Sequence, residues 1–547
     1  MKTGCAVYLV FAAVLAITAC SSDGPNTGSA GSSGGAAGSG GAAGSGGVAG
    51  SGGAAGSGGA AGSGGAAGNG GAAGNGGAAG NGGAAGSGGA SGTGGTAGSG
   101  GAGGTVGAAG GGGEGGAAGE AGSGGGVDIS VHQPPSVQSN IAVDTSTKYQ
   151  PLWGFGAAAG APAKKLETWN PGMVHAMLDK LYATDGNNAG LSIFRLVVNP
   201  NVRPSPNTWD WNADEPQVWM AKEAAKRSAV AFLGTPWSPP AFMKTTNSTS
   251  GGGSLKPAQY GAFATYLYDW ASHYKTVHGL NLKWVSVQNE PQANVSYDMC
   301  LYTPEQLDAV ATLVADKFHQ EGSDVLVGAP ENSNDEYTTE FLSKMTASLP
   351  KLDWIASHDY SWNKHTDLSG FGKPILQTET CGGGETPNDA SINDGLRWAR
   401  RIHLHLGARE RGYLFWYALS EKGTLNSLIT VDAAQQTYTL NKRLFVFGQF
   451  SRFLRPGSTV VKATTTGGTL KTVAATDSNG ALSIVITNDE DYPQMATVSG
   501  FSSGSVRGRI TSEEHDLAEV EALDAQGGTF ACVLPPRSIV SLRKTSP

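Results

Sequence analysis

Charge is scarce in this chain, and what there is leans acidic. Of 547 residues only 15% are Asp, Glu, Lys or Arg, and 44 acidic side chains outnumber 36 basic ones, for a formal net charge of −8. A nucleic-acid footprint needs a basic face, so that class of partner is excluded, and mild acidity serves solubility. Cysteine is scarcer still: Cys5, Cys20, Cys300, Cys381 and Cys532. No Cys/His group has zinc spacing, so no metal and no cofactor are expected. Proline is missing between Pro25 and Pro134. The apolar run Ala6 to Ile17 is too short to span a bilayer as a mature helix.

That short run has another reading. Lys2 precedes it, small residues follow it, and "ITAC" ends at Cys20 before the polar "SSDGPNTG". This is the shape of a cleaved signal, and "ITAC" resembles a bacterial lipobox. Residues 1–20 are thus expected to be a lipoprotein signal with Cys20 lipidated. That puts the chain in the bacterial cell envelope on a lipid anchor, the outer membrane favoured by Ser21, or else leaves it secreted. Three cysteines then remain in an oxidising compartment, enough for one disulfide at most within the chain.

From Gly35 to Gly125 glycine falls at every third position, mostly as "GSGGAA" or "GNGGAA". A collagen helix needs that spacing, but it also needs imino acids, and none are there. Residues 21–137 are expected to be a disordered tether, with a glycine-rich helical bundle as the alternative. A coil of ~100 such residues has a span of ~55 Å, enough to hold a domain clear of a membrane.

After about residue 138 the composition turns globular. Eight strand-like runs follow in order: "WGFGAA" from Trp153, "LSIFRLVV" from Leu191, "AVAFLGTPWS" from Ala229, "LKWVSVQ" from Leu282, "DVLVGAP" from Asp324, "WIASHDY" from Trp354, "PILQTE" from Pro374 and "YLFWYAL" from Tyr413. Amphipathic stretches lie between most of them; one opens with Thr303 before Pro304, a helix-start signature. Near-continuous apolar strands alternating with helices predict a parallel sheet covered on both faces. Eight of them predict a (β/α)8 barrel over 138–456, class α/β. Beyond "RFLRPGS" short alternating segments predict a β-sandwich over 457–547, which the strand from Ile141 joins.

Active sites of such barrels lie at the C-terminal ends of the strands. Glu290 follows the fourth run, in "WVSVQNEP", and Glu379 ends the seventh. Two carboxyl groups facing one cleft are what glycosidic cleavage needs: one protonated to release the leaving oxygen, one ionised to attack.

On these residues the domain resembles glycoside hydrolase family 30. The motifs are "GFGAA", "TPWSPPAFMK", "VSVQNEP", "ILQTE" and "LNKRLFVFGQFSRFLRPGS", and the likeness runs from about Asn140 to the C-terminus. The resemblance implies Glu290 as general acid/base, Glu379 as nucleophile, and retention of configuration. It implies that Asn289 bonds the sugar 2-hydroxyl and that Arg195 lies beside the nucleophile. Trp237 and Trp416 are candidate sugar platforms, His358 and Tyr360 candidate partners of the carboxylates. Glu331 ends the fifth run without an assigned role, and Glu385 is the weaker nucleophile candidate.

Within the family "YDMCLYTPEQL" and "RFLRPG" look most like the bacterial xylanase branch, whose members act on xylan and often read a glucuronate through two arginines after the eighth strand. Here Leu419 and Ser420 stand at those places, followed by Glu421 and Lys422. The expected activity is an endo-β-1,4-xylanase without a uronate requirement, working as a monomer on polysaccharide. The alternatives are an endo-β-1,6-glucanase, a β-glucosidase or glucosylceramidase-like enzyme, and a glycan-binding lipoprotein on an inactive barrel. Cys300 and Cys381 are expected to pair, because loops leaving strands four and seven must approach each other. Cys532, in "TFACVLP", is expected to be a buried free thiol.

Overall fold

The computed structural model describes residues 125–159, 166, 168–361, 364–382, 389–422 and 427–544. The lipobox, Cys20, nearly all of the Gly-rich spacer and Glu385 lie outside the described residues.

Eight parallel strands close into a barrel: β1 (Gly154–Ala158), β2 (Ile193–Val197), β3 (Ala231–Thr235), β4 (Leu282–Ser286), β5 (Leu326–Asn332), β6 (Trp354–His358), β7 (Ile375–Glu379) and β8 (Gly412–Glu421). Each pairs with the next, β8 returns to β1, and Gln377 opposite Tyr413 joins β7 to β8. β1, β6 and β7 are buried at every residue, as strands covered on both faces must be. Ile193, Leu233, Trp284, Trp354, Leu376 and Leu414 form one apolar cluster; a second, larger one joins strands to helices. Gly328 has a reason here: a Cβ on it would lie 2.2 Å from the Trp354 ring.

The helix signals act as expected. Thr303 caps the helix Pro304–Gln320: its hydroxyl accepts from Gln306 N at 3.2 Å, and Gln306 accepts from Thr303 N at 2.9 Å. Helix Lys442–Phe453 is buried over most of its length because it packs between the barrel and the second domain. Gln449 holds Thr511 at 2.8 Å on the sandwich side, and Ser451 holds Gly190 O at 2.6 Å on the barrel side.

That second domain has nine strands, and Gln138–Pro151 is one of them, between Thr459–Gly467 and Gln494–Ser499. The strand alternates exposed and buried residues at its start, with Ile141 and Val143 pointing into the core. Cys532 is wholly buried in the same core, and burial pushes its thiol up to about 12.

Candidate active site

The mouth of the barrel is shaped by irregularities at strand ends. Register slips between Pro330 and Asn332 on β5, between Gln377 and Glu379 on β7, and between Phe415 and Tyr417 on β8. An extra residue in one strand re-aims the side chains around it. The residues involved are Glu331, Thr378 and Trp416, beside or within the set of polar and aromatic groups at the mouth. Glu290 and Glu331 also hold left-handed backbone, φ 42° and 61°, where side chains are unfavourable. Glu290 N donates to Glu331 O at 2.9 Å, which ties the two strained residues together.

Arg195 on β2 is 1% exposed and sits at the centre. Its Nη1 donates to Glu379 Oε2 at 2.6 Å, and its Nη2 donates to Asn289 Oδ1 at 2.7 Å and Glu331 Oε1 at 3.1 Å. Trp237 and Trp416 lie over the guanidinium, at 4.5 and 5.6 Å, with ring centroids 5.4 Å apart. The indoles are nearly buried and serve the arginine as a cation–π floor as well as lining the mouth. Because Asn289 Oδ1 accepts from Arg195, its NH2 is left to donate outward.

Tyr360 Oη donates to Glu379 Oε1 at 2.8 Å. His358 Nδ1 is 3.2 Å from Glu290 Oε1 and 3.6 Å from Glu379 Oε1, and its Nε2 is 3.8 Å from Glu331 Oε1. Burial alone would lower the imidazole pKa, but Glu379, Glu290 and Glu331 outweigh it and push it up to about 9. Burial would likewise raise Glu331, yet the Arg195 charge and His358 hold it down at about 2. Glu290 goes the other way: burial raises it, His358 opposes, and the neighbouring Glu379 charge adds to the rise. Donor atoms of Glu290, His358 and Glu379 all lie within 4.8 Å of one another. A metal there would have to displace the proton that three carboxylates hold on His358, so the set fits proton transfer better.

The structure thus brings Glu290, Glu379, Asn289, Arg195, Trp237, His358, Tyr360 and Trp416 into one site. Two residues join them that the sequence did not single out for it. Glu331 is the second carboxylate on Arg195, beside Glu379. Tyr297 feels both Glu290 and Glu379, and burial with those charges raises its phenol.

The expected Cys300–Cys381 disulfide is corrected: the two are buried thiols that do not form a bridge. Cys300 turns toward Tyr302, Lys244 and the Leu255 backbone, and burial raises its thiol to about 11. Cys381 Sγ instead lies 3.6 Å from Tyr360 Oη. The loops do converge, but each thiol faces its own polar pocket. Non-reducing denaturation should expose three titratable thiols for Cys300, Cys381 and Cys532; finding only one would restore the bridge.

The His358 shift has a sign that calorimetry reads. Its folded-state value, about 9, lies above the ordinary 6.5. Its contribution to stability is therefore complete below 6.5 and is lost as pH rises through about 9. The gap in Tm between the wild type and His358→Gln should shrink across that window. A constant gap would mean that His358 carries no extra proton.

Two family profiles match this chain: "O-Glycosyl hydrolase family 30" over residues 204–337 and "Glycosyl hydrolase family 30 beta sandwich domain" over 457–542. Over these residues the chain is similar to family 30 glycoside hydrolases. Curated relatives align with half to three quarters of it. Glucuronoxylanase XynC of Bacillus subtilis (strain 168) is 26% identical over 427 residues, 74% of this chain and 91% of the relative. An endo-1,6-beta-D-glucanase of Neurospora crassa is also 26% identical, over 309 residues, 51% of this chain and 64% of its own. Among solved structures, a family 30 subfamily 8 xylanase from Clostridium acetobutylicum superposes with TM-score 0.63 at 26% identity, covering 75% of this chain and 100% of that one.

Proposed function

We propose that this chain is a retaining endo-β-1,4-xylanase of family 30, with Glu290 as acid/base and Glu379 as nucleophile. The observation that carries the mechanism is the separation of the two carboxylates. One oxygen of each lies within 4.8 Å of one oxygen of the other. Retaining enzymes hold the groups ~5–5.5 Å apart, whereas inverting enzymes need ~6.5–9.5 Å to admit a water.

The steps follow from the partners. Glu379, accepting from Arg195 and Tyr360, attacks the anomeric carbon. Glu290, whose pKa is raised, hands its proton to the leaving oxygen. The ester that forms removes the Glu379 charge, which lowers the Glu290 pKa and lets it serve as base toward water. The Asn289 NH2 donates to the sugar 2-hydroxyl as charge develops.

Xylan is the favoured substrate because the long xylanase-branch motifs and the Bacillus relative agree on it. The glucanase relative at the same identity keeps β-1,6-glucan as the second reading. Initial rates of reducing-sugar release on both polymers decide: xylan is expected to be cut and β-1,6-glucan not. The reverse would move the substrate and leave the mechanism, and no release from any glycan would favour a binding protein.

A uronate requirement is not expected. Leu419 and Ser420 are buried, and Ser420 donates to Ser427 Oγ at 2.6 Å. Glu421 accepts from Ala433 N at 2.9 Å, and Lys422 is paired with Asp432 at 2.5 Å. Among the described residues no guanidinium fork stands there, and a carboxylate grip rests on such forks. Glucuronoxylan and the same polymer with its uronates reduced should react within about threefold, against the factor of ten or more that each lost charged hydrogen bond would cause. A loss of orders of magnitude on the reduced polymer would overturn this.

A further inference from the structure

Three consecutive residues at the end of β6 face in alternating directions. His358 and Tyr360 point at the proposed catalytic carboxylates. Asp359, between them, points away into a second buried cluster and is 3% exposed. Arg401 on helix Ile392–Gly407 grips it with two nitrogens, Nε to Oδ2 at 2.8 Å and Nη2 to Oδ1. Tyr413 on β8 donates to Oδ2 at 2.6 Å, and His405 Nε2 lies 3.1 Å from the same oxygen. The Asp359 backbone is fixed as firmly: its N donates to Glu379 O at 3.0 Å, and its O accepts from Thr380 Oγ1 at 2.9 Å.

The cluster runs on behind. His405 Nδ1 is 2.7 Å from Glu410 Oε1, and His365 Nδ1 is 2.8 Å from Asp335 Oδ2. His365, His405 and Glu410 have metal-ligand chemistry and donor atoms within 4.8 Å of one another. Yet 2.7 Å between a nitrogen and an oxygen is hydrogen-bond spacing, shorter than two ligands of one ion leave between them. Burial would lower His405, but Glu410 and Asp359 outweigh it and raise it to about 10. It stays an imidazolium between two carboxylates. For Asp359, burial would raise the pKa, but His405 and Arg401 hold it far below the ordinary carboxylate range. The aspartate is thus a permanent anion bolted to a helix and to β8.

We propose that Asp359 is a positioning residue for the hydrolysis: its clamp by Arg401, Tyr413 and His405 fixes the β6 end so that Tyr360 delivers its hydroxyl to Glu379. This rests on Glu379 as nucleophile. The physical reason is lever geometry. Tyr360 Oη meets Glu379 at 2.8 Å from the residue next to the clamp, and a small rotation of that peptide withdraws it. A misplacement of about 1 Å costs about 10²-fold in rate.

A double-mutant cycle tests it on the full chain with an aryl xylobioside. Asp359→Asn is expected to lower kcat by about 10²-fold with KM nearly unchanged. In a Tyr360→Phe background the same change should cost less than about threefold more, because its target is already gone. If the two factors multiply, Asp359 acts only on overall structure and the proposal fails. Circular dichroism and Tm check the fold of each variant. Should Asp359→Asn not fold, Tyr413→Phe removes one clamp bond and goes through the same cycle under the same criterion. Labelling with a 2-deoxy-2-fluoro glycoside separates the two layers. A label on a residue other than Glu379 sinks the nucleophile assignment. A label on Glu379 with a multiplicative cycle sinks only the positioning role.

Discussion

Glu379→Gln should leave a folded protein that binds glycan and does not turn it over. An amide has no charge to attack the anomeric carbon, and removing an enzyme nucleophile costs on the order of 10⁶-fold. The fold should survive because Gln has the same shape and can still meet Arg195 and Tyr360. Glu290→Ala fails differently. With an activated aryl leaving group the first step needs no acid, so the glycosyl-enzyme forms and stalls for want of a base. Azide needs no base, enters the vacated space, and should restore turnover with release of a β-glycosyl azide. NMR of the first product from the wild type should show the β-anomer. An α first product, or azide rescue in Glu379→Gln giving the β-azide, would break the assignment of roles.

Both glutamates could be singled out from sequence because Glu379 ends an apolar strand and Glu290 closely follows one. Parallel strands buried on both faces read as uninterrupted apolar runs, so "LKWVSVQ" and "PILQTE" stood out, and the residue where polarity returns marks the mouth. The alternation in "IAVDTSTKYQ" likewise showed a strand with one wet face, and it lies in the sandwich. Other features have no local signal. Glu331 matters because a register slip at the end of β5 swings it onto Arg195, and a bulge leaves no pattern in a seven-residue strand. Asp359 sits between two residues that face the site, and only the packing of Arg401 and His405, on a helix that begins more than thirty residues later, turns it into an anchor. Strand Ala518–Ala525 is hard to read because a register slip against Gly504–Thr511 breaks its alternation between Val520 and Leu523. The cysteine pairing failed at a finer scale: loop proximity is fixed by the barrel, but thiol direction is set by Tyr302 on one side and Tyr360 on the other.

Arg195 is where the largest combined loss of stability and rate is expected. It neutralises two carboxylates in a region that excludes water: Glu331 is fully buried and Glu379 is 2% exposed. Taking away one partner of a buried pair strands the other charge and costs about 3–5 kcal/mol. Arg195→Met keeps volume under Trp237 and Trp416 but strands both carboxylates and frees Asn289 to rotate. Urea unfolding should register a loss of that size, with activity below detection. Arg195→Lys should recover part of the stability and little of the rate, since one ammonium is a point charge and cannot reach Glu379, Asn289 and Glu331 together as the fork does. The decisive comparison adds Glu331→Gln to Arg195→Met. With one stranded charge removed, the double variant should be more stable than Arg195→Met alone, although activity stays absent because Glu379 and Asn289 remain unheld. If Glu331→Gln instead destabilises Arg195→Met further, Glu331 is held by groups other than Arg195, and the guanidinium is not what keeps Glu331 beside Glu379 in the barrel mouth.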